Sequence, residues 1–113
     1  MVRIEAIIRP NRLEPVKVAL DEIGVHGMSV IEIKGAGKQK GYTQHYRGSE
    51  YVVNLLPKVQ IIVVVTDDKK DLVVNSISEA ARTGDIGDGK IFVTPVLEAV
   101  RVRTGERDDE ALT

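Results

Sequence analysis

Val2, Ile4, Ala6 and Ile8 alternate with other residues at the start of the chain, the period-two pattern of a strand with one buried face. In "NRLEPVKVALDEIG" the spacing becomes helical. Leu13, Val16, Leu20 and Ile23 share a side, Pro15 suits a first turn, and Gly24 is a natural stop. "MSVIEIKG", residues 28–35, is alternating and β-branched and predicts a second strand. The cycle then repeats. "KVQIIVVVT" (58–66) is apolar enough for a strand covered on both faces. "TDDKKDLVVNSISEAARTG" opens on acidic residues and carries Val73, Ile77 and Ala81 along one side, a helix ended near Gly84. "KIFVTPV" is a strand whose Pro95 marks its end or an edge. In "AVRVRTG" (99–105), Val100 and Val102 facing one way put Arg101 and Arg103 side by side on the other, as an extra C-terminal strand.

Strand–helix–strand twice over predicts an α+β, βαββαβ sandwich, with one antiparallel sheet and both helices on one face. Its other face is left bare, and with three Tyr and one Phe in the chain there is little aromatic bulk to cover it. Burial by self-association, as a compact trimer or dimer, is the expected solution. Between the halves, "GAGKQKGYTQHYRGSEYVVNLLP" is polar and glycine-bearing without sustained periodicity, yet it holds Tyr42, Tyr46 and Tyr51. A loop this long in a small domain is uncommon and is usually functional or disordered. The charged "GERDDEALT" at the end suggests a solvated, mobile tail.

Composition narrows the function. The 113 residues fit one domain, and a net charge of −1 argues against a nucleic-acid binder, which needs a basic surface. RNA-recognition domains also stack bases on sheet aromatics, whereas the strands here are aliphatic apart from Phe92. The absence of cysteine excludes disulfides, thiolate zinc sites and cysteine nucleophiles. "IIVVV" at 61–65 is far short of a membrane span, and the N-terminal apolar run is too short for a signal peptide, so a cytoplasmic location is expected. His26 and His45 have no metal-site spacing.

"TGDIGDGKIF" (83–92) nearly spells a P-loop: Gly84, four residues, then Gly89 and Lys90, but with Ile91 where Ser or Thr belongs. The context is also reversed, with a helix before the loop and a strand after it, so this is no Walker A motif. Gly84, Gly87 and Gly89 still permit positive φ and close backbone approach, which lets successive N–H groups face one concavity with Lys90 at its rim. A helix cap followed by a tight turn explains part of this run. With Arg101 and Arg103 added, a polyphosphate site explains more.

These stretches resemble the PII nitrogen-regulatory signal-transduction proteins, most densely in "GAGKQKG", "YRGSEY", "TGDIGDGKIFV" and "RVRTGERDD". The resemblance implies a ferredoxin-like homotrimer with ATP or ADP in clefts between subunits. Lys38, Gly87, Asp88, Gly89 and Lys90 would lie around the phosphates, with Arg101 and Arg103 on the same anion and Ser29, Gly37 and Val64 around the adenine. It also implies Mg²⁺ held by the ATP phosphates, by Gln39 and by 2-oxoglutarate. The keto-acid would be bound by Gln39, Lys40, Gly41 and Lys58, although Lys58 alone reads as a solvated strand-end lysine. The insert, about 37–55, would be the output loop. Its implied partners are ammonium transporters, which would recruit the protein to the membrane without insertion, nitrogen-assimilation enzymes, or regulators of nitrogen genes. Tyr51 matches a nucleotidylylation site in some relatives and Ser49 a phosphorylation site in others; the sequence does not choose. Ala36 and Lys38 depart from the Phe and Arg common at the loop base, Ser29 keeps the hydroxyl of the usual Thr, and Tyr42 and His45 also differ. A non-enzymatic sensor follows from the resemblance. The alternatives are a sensor of adenylates alone and a slow ATPase.

Overall fold

The computed structural model describes residues 1–36 and 55–113 in full, together with the backbone of the strands Thr43–Tyr46 and Ser49–Val52. The elements are β1 (Val2–Ile8), α1 (Leu13–Glu22), β2 (Ser29–Gly35), β3 (Thr43–Tyr46), β4 (Ser49–Val52), β5 (Leu56–Val65), α2 (Lys70–Ala81) and β6 (Gly89–Pro95), the expected order with β3 and β4 added inside the insert. β2, β5, β1 and β6 form one antiparallel sheet in that order, and β3 pairs separately with β4. The insert thus contains a hairpin that its composition does not announce.

Alternation along the strands decides which face meets the helices. Ile4, Ala6 and Ile8 of β1 and Val59, Ile61, Val63 and Val65 of β5 join Val16, Leu20, Val73, Ile77 and Ala81 in one core. Burying each Ile or Leu there contributes about 1.5–3 kcal/mol. The opposite face carries Glu5, Gln60, Ile62 and Val64, with Gln60 Nε2 donating to Glu5 Oε1. Among the described residues β5 is therefore covered on one face only: Ile62 and Val64 are half-buried, and Ile31 and Phe92 beside them are 46% and 49% exposed. The bare apolar face inferred from the sequence is present.

One helix end shows a contact that no sequence pattern marks. Arg12 donates from Nε and Nη2 to the Ala80 carbonyl, at 3.1 and 2.7 Å, and so satisfies an orphan acceptor in the last turn of α2. Arg12→Ala is expected to cost about 1 kcal/mol, read as a lower urea midpoint at unchanged slope. An unchanged midpoint would mean that water caps this carbonyl equally well.

The stretch 99–105 does not add a strand to the sheet. Thr104 and Gly105 (φ 75°) turn the chain back into a short hairpin: Arg101 N donates to Glu106 O and Asp108 N to Ala99 O, both at 2.8 Å. Its one ladder pairing is the isolated bridge between Val100 and Arg107. Alternation is present in this stretch, but Val102 is 99% exposed and has no core to enter. Arg103 falls in the turn, so Arg101 and Arg103 are not side by side on a sheet face.

Candidate functional site

Residues 82–88 link α2 to β6 and are organised around one carboxylate. Asp88 Oδ2 accepts from the N–H groups of Thr83 (2.8 Å) and Gly84 (2.9 Å). Its Oδ1 accepts from the Thr83 hydroxyl and from Arg9 Nε (3.0 Å). Arg9 Nη2 also donates to Ile86 O at 2.8 Å, so this one side chain grips the loop twice. The Thr83 hydroxyl, then the loop amides and Arg9, hold the Asp88 carboxyl well below the usual carboxylate range, against partial desolvation. Asp88 therefore stabilises the loop as an anion at neutral pH, and that contribution is lost progressively as pH falls from the ordinary carboxylate range toward the depressed pKa.

Gly84, Gly87 and Gly89 have φ of 93°, 104° and 103°, the left-handed conformations the glycine run suggests. The N–H groups of Thr83 and Gly84 are taken by Asp88, and that of Asp85 donates to Thr83 Oγ1 at 3.2 Å. The first half of the loop is thus satisfied internally. An anion would have to be met by Gly87–Lys90, with Lys90 exposed at the start of β6 opposite Ile7.

Lys58 is 9% exposed and donates from Nζ to Gly87 O at 2.6 Å, so the solvated reading of this lysine does not hold. Burial first, and then the neighbouring Arg9, lower its pKa, opposed by Asp88. Gly35 packs on it, and a Cβ there would lie 3.2 Å from Lys58 Cγ. Lys58, the loop and the end of β2 are therefore gathered at one end of the sheet. Gly37, Lys38, Gln39, Lys40 and Gly41 lie outside the described residues, as do the side chains of Ser49 and Tyr51.

The remaining candidates lie at the other end. Ser29 and Val64 line a cavity with residues 24–28, 62–66 and 111–113. Arg101 Nη1 is bound to Glu106 Oε1 at 2.6 Å and Nη2 to Thr113 O. In β6, Gly89 pairs with Ile8 and Pro95 with Val2, so this strand separates the glycine loop from the residues that follow Pro95. At ~3.3 Å per residue that separation is about 20 Å. Within one chain the arginines and the glycine loop lie too far apart to share an anion, and the candidate residues fall into two separate groups.

Arg9 and Thr83 are the organisers that pattern reasoning misses. Arg9 acts across 79 residues of sequence, and nothing local marks it. Thr83 sits beside the glycine run but reads there only as the end of a helix. Among the described residues no cluster of His, Asp and Glu suits a metal ion, and no helix is long and apolar enough to cross a membrane.

Known proteins match almost the whole chain. The family described as nitrogen regulatory protein P-II matches residues 1–106. The nitrogen regulatory protein P-II of Azospirillum brasilense is 56% identical over 112 residues, 99% of this chain and 100% of the relative. Nitrogen regulatory protein P-II 1 of Escherichia coli K12 is 54% identical over the same shares. A solved structure, Arabidopsis thaliana PII bound to citrate, aligns with TM-score 0.80 and 43% identity, covering 97% of this chain and 90% of that one. The matched span includes the Asp88-centred loop, Lys58 and both arginines, and the relatives are named as regulatory proteins. This chain belongs to the P-II family of nitrogen regulatory proteins.

Proposed function

We propose that the protein is a homotrimeric, non-enzymatic sensor of ATP or ADP and 2-oxoglutarate that signals through the insert at about 37–55. The observation that carries this reading is the division of the candidate anion-binding residues between the two ends of the sheet. Gly87–Lys90 and Lys58 lie at one end; Ser29, Val64 and Arg101 lie at the other. Joining the end of one copy to the opposite end of the next is a head-to-tail contact, which closes into a ring when the rotation permits. The bare face of the sheet, with Ile31 and Phe92, supplies apolar surface for such an assembly.

In the ring the two half-sites would form one cleft. Ser29 and Val64 would face the adenine, and the Gly87–Lys90 backbone, Lys90 and the next copy's Arg101 and Arg103 would meet the phosphates. From the base of the insert, Lys38 would join the phosphate contacts and Gly37 would lie by the adenine. Mg²⁺, bound with Gln39, would supply charge neutralisation between phosphates and keto-acid. Lys58 would pair with the far carboxylate, beside Lys40 and Gly41. Because Lys58 already holds the Gly87 carbonyl, a carboxylate arriving there would act directly on the phosphate loop. A relative described as bound to citrate fits a site that accepts a carboxylate-bearing ligand.

Two features favour a sensor over a hydrolase. The Asp88 carboxylate is occupied by four donors, so it is no free base for activating water. Lys58 donates to the Gly87 carbonyl, which ties its charge to the loop and the incoming carboxylate rather than to a reacting water. Ammonium transporters, nitrogen-assimilation enzymes or nitrogen-gene regulators would read the insert from the cytoplasm, and Tyr51 or Ser49 are the positions there for covalent modification. Titration calorimetry of 2-oxoglutarate is expected to show binding with Mg-ATP and none with Mg-ADP, and Lys58→Ala is expected to abolish it. Absence of binding with either nucleotide would leave a sensor of adenylates alone.

A further inference from the structure

Arg101, offered above to phosphate, is not waiting for it. Its guanidinium is met by the Glu106 carboxylate at 2.6 Å, by Glu110 O at 3.3 Å, by Ala111 O at 3.5 Å and by Thr113 O. A carboxylate with converging carbonyls offers a guanidinium fork what phosphate oxygens would offer. Glu106 is itself held in place: the Thr104 hydroxyl donates to its Oε1 at 2.7 Å. That hydroxyl first, and Arg101 after it, keep the Glu106 carboxyl below its ordinary range, so it stays an anion.

The same segment also borders the cavity at this end. Ala111, Leu112 and Thr113 form part of the wall of the cavity that contains Ser29 and Val64. Four of the eight residues in Glu106–Thr113 are acidic against one basic, a poor neighbour for a polyphosphate. The segment leaves the 99–108 hairpin at Asp108, whose φ of 57° is the one positive value outside glycine among the described residues. Asp tolerates this conformation better than most residues, and here it turns the chain out of the hairpin. The strap is tethered at that point by Asp108 N to Ala99 O at 2.8 Å.

We propose that Glu106–Thr113 is an autoinhibitory strap: it occupies Arg101 and walls the Ser29–Val64 cavity, and a nucleotide must displace it to bind. This rests on the nucleotide reading above and adds to it an internal competitor that sets the affinity. The strap weakens nucleotide binding by the free energy needed to release Arg101, so removing it tightens binding.

The test compares ATP titration of the full chain with that of a chain ended after Asp109 and of full-length Glu106→Gln, at one ionic strength. Both variants are expected to bind ATP about fivefold or more tightly than the full chain. Glu106→Gln keeps the shape and weakens the grip on Arg101, and it decides the matter if the shortened chain fails to assemble. Equal or weaker ATP binding by the variants, with the full chain still binding, overturns the strap and leaves the nucleotide reading standing. No ATP binding by any of the three chains overturns both.

Discussion

Gly89→Ala is expected to cost about 3–5 kcal/mol of folding stability, roughly a fifth or more of the ~5–15 kcal/mol typical of a domain. Two effects combine at this residue. Its φ of 103° is a conformation that a side chain disfavours, and an added Cβ would lie 1.7 Å from Ile7 O and 2.8 Å from Ile7 C. The atoms struck belong to the backbone of β1, so no rotamer change relieves the clash; β6 would have to lift from its partner just where the glycine loop enters it. Gly84→Ala is the matched comparison. Its φ of 93° is similarly unfavourable, but nothing lies within 4 Å of the new Cβ, so about 1–2 kcal/mol is expected. Denaturant midpoints at constant slope check both values. Equal losses at the two positions would refute the close approach at Gly89.

The second large effect concerns binding. Lys90→Ala and Arg101→Ala are each expected to lower ATP affinity by at least about tenfold, since a charged hydrogen bond to phosphate contributes ~1.5–3 kcal/mol. The two losses should look alike in calorimetry although the residues lie at opposite ends of β6 in one chain. Arg101→Ala also releases the strap from its anchor, which makes it the less clean of the pair. Its net effect is still a loss, because the guanidinium removed is the one the phosphates would use. ATP binding that survives Lys90→Ala unchanged would remove the glycine loop from the site.

Much of this architecture is legible in the order of the residues. Val2 to Ile8 alternate and form β1; Leu13, Val16 and Leu20 recur at helical spacing and form α1; the same cycle recurs from Lys58 to Pro95. These periods are legible because burial on one side of each element fixes them. The stretch 99–105 shows the limit of the method. Its alternation is as regular as that of β1, yet the turn at Thr104 and Gly105 intervenes and no sheet edge receives it. The glycine loop was readable as a set of positive-φ positions, because only glycine adopts them cheaply. Its strut was not: Asp88 is held by Thr83 and by Arg9, and the latter contact depends on where two strands end. Lys58 is a similar case. Nothing local separates a buried lysine from a solvated one; the difference is the Gly87 carbonyl brought to it by the fold. Local pattern also places Arg101 with the glycines as one anion site, and only the register of β6 shows them to be an element apart.

The central claim is that each ligand site is built from opposite ends of two copies. Mixing purified Lys90→Ala and Arg101→Ala chains, unfolding and refolding them together, and measuring ATP binding tests it most directly. Neither variant alone carries a complete site. In a randomly mixed head-to-tail ring, about a quarter of the clefts would take an intact Lys90 from one copy and an intact Arg101 from its neighbour. The account predicts that this fraction of high-affinity ATP binding returns on mixing. Binding by the mixture that remains at the level of the separate variants would contradict it and place each site within a single chain.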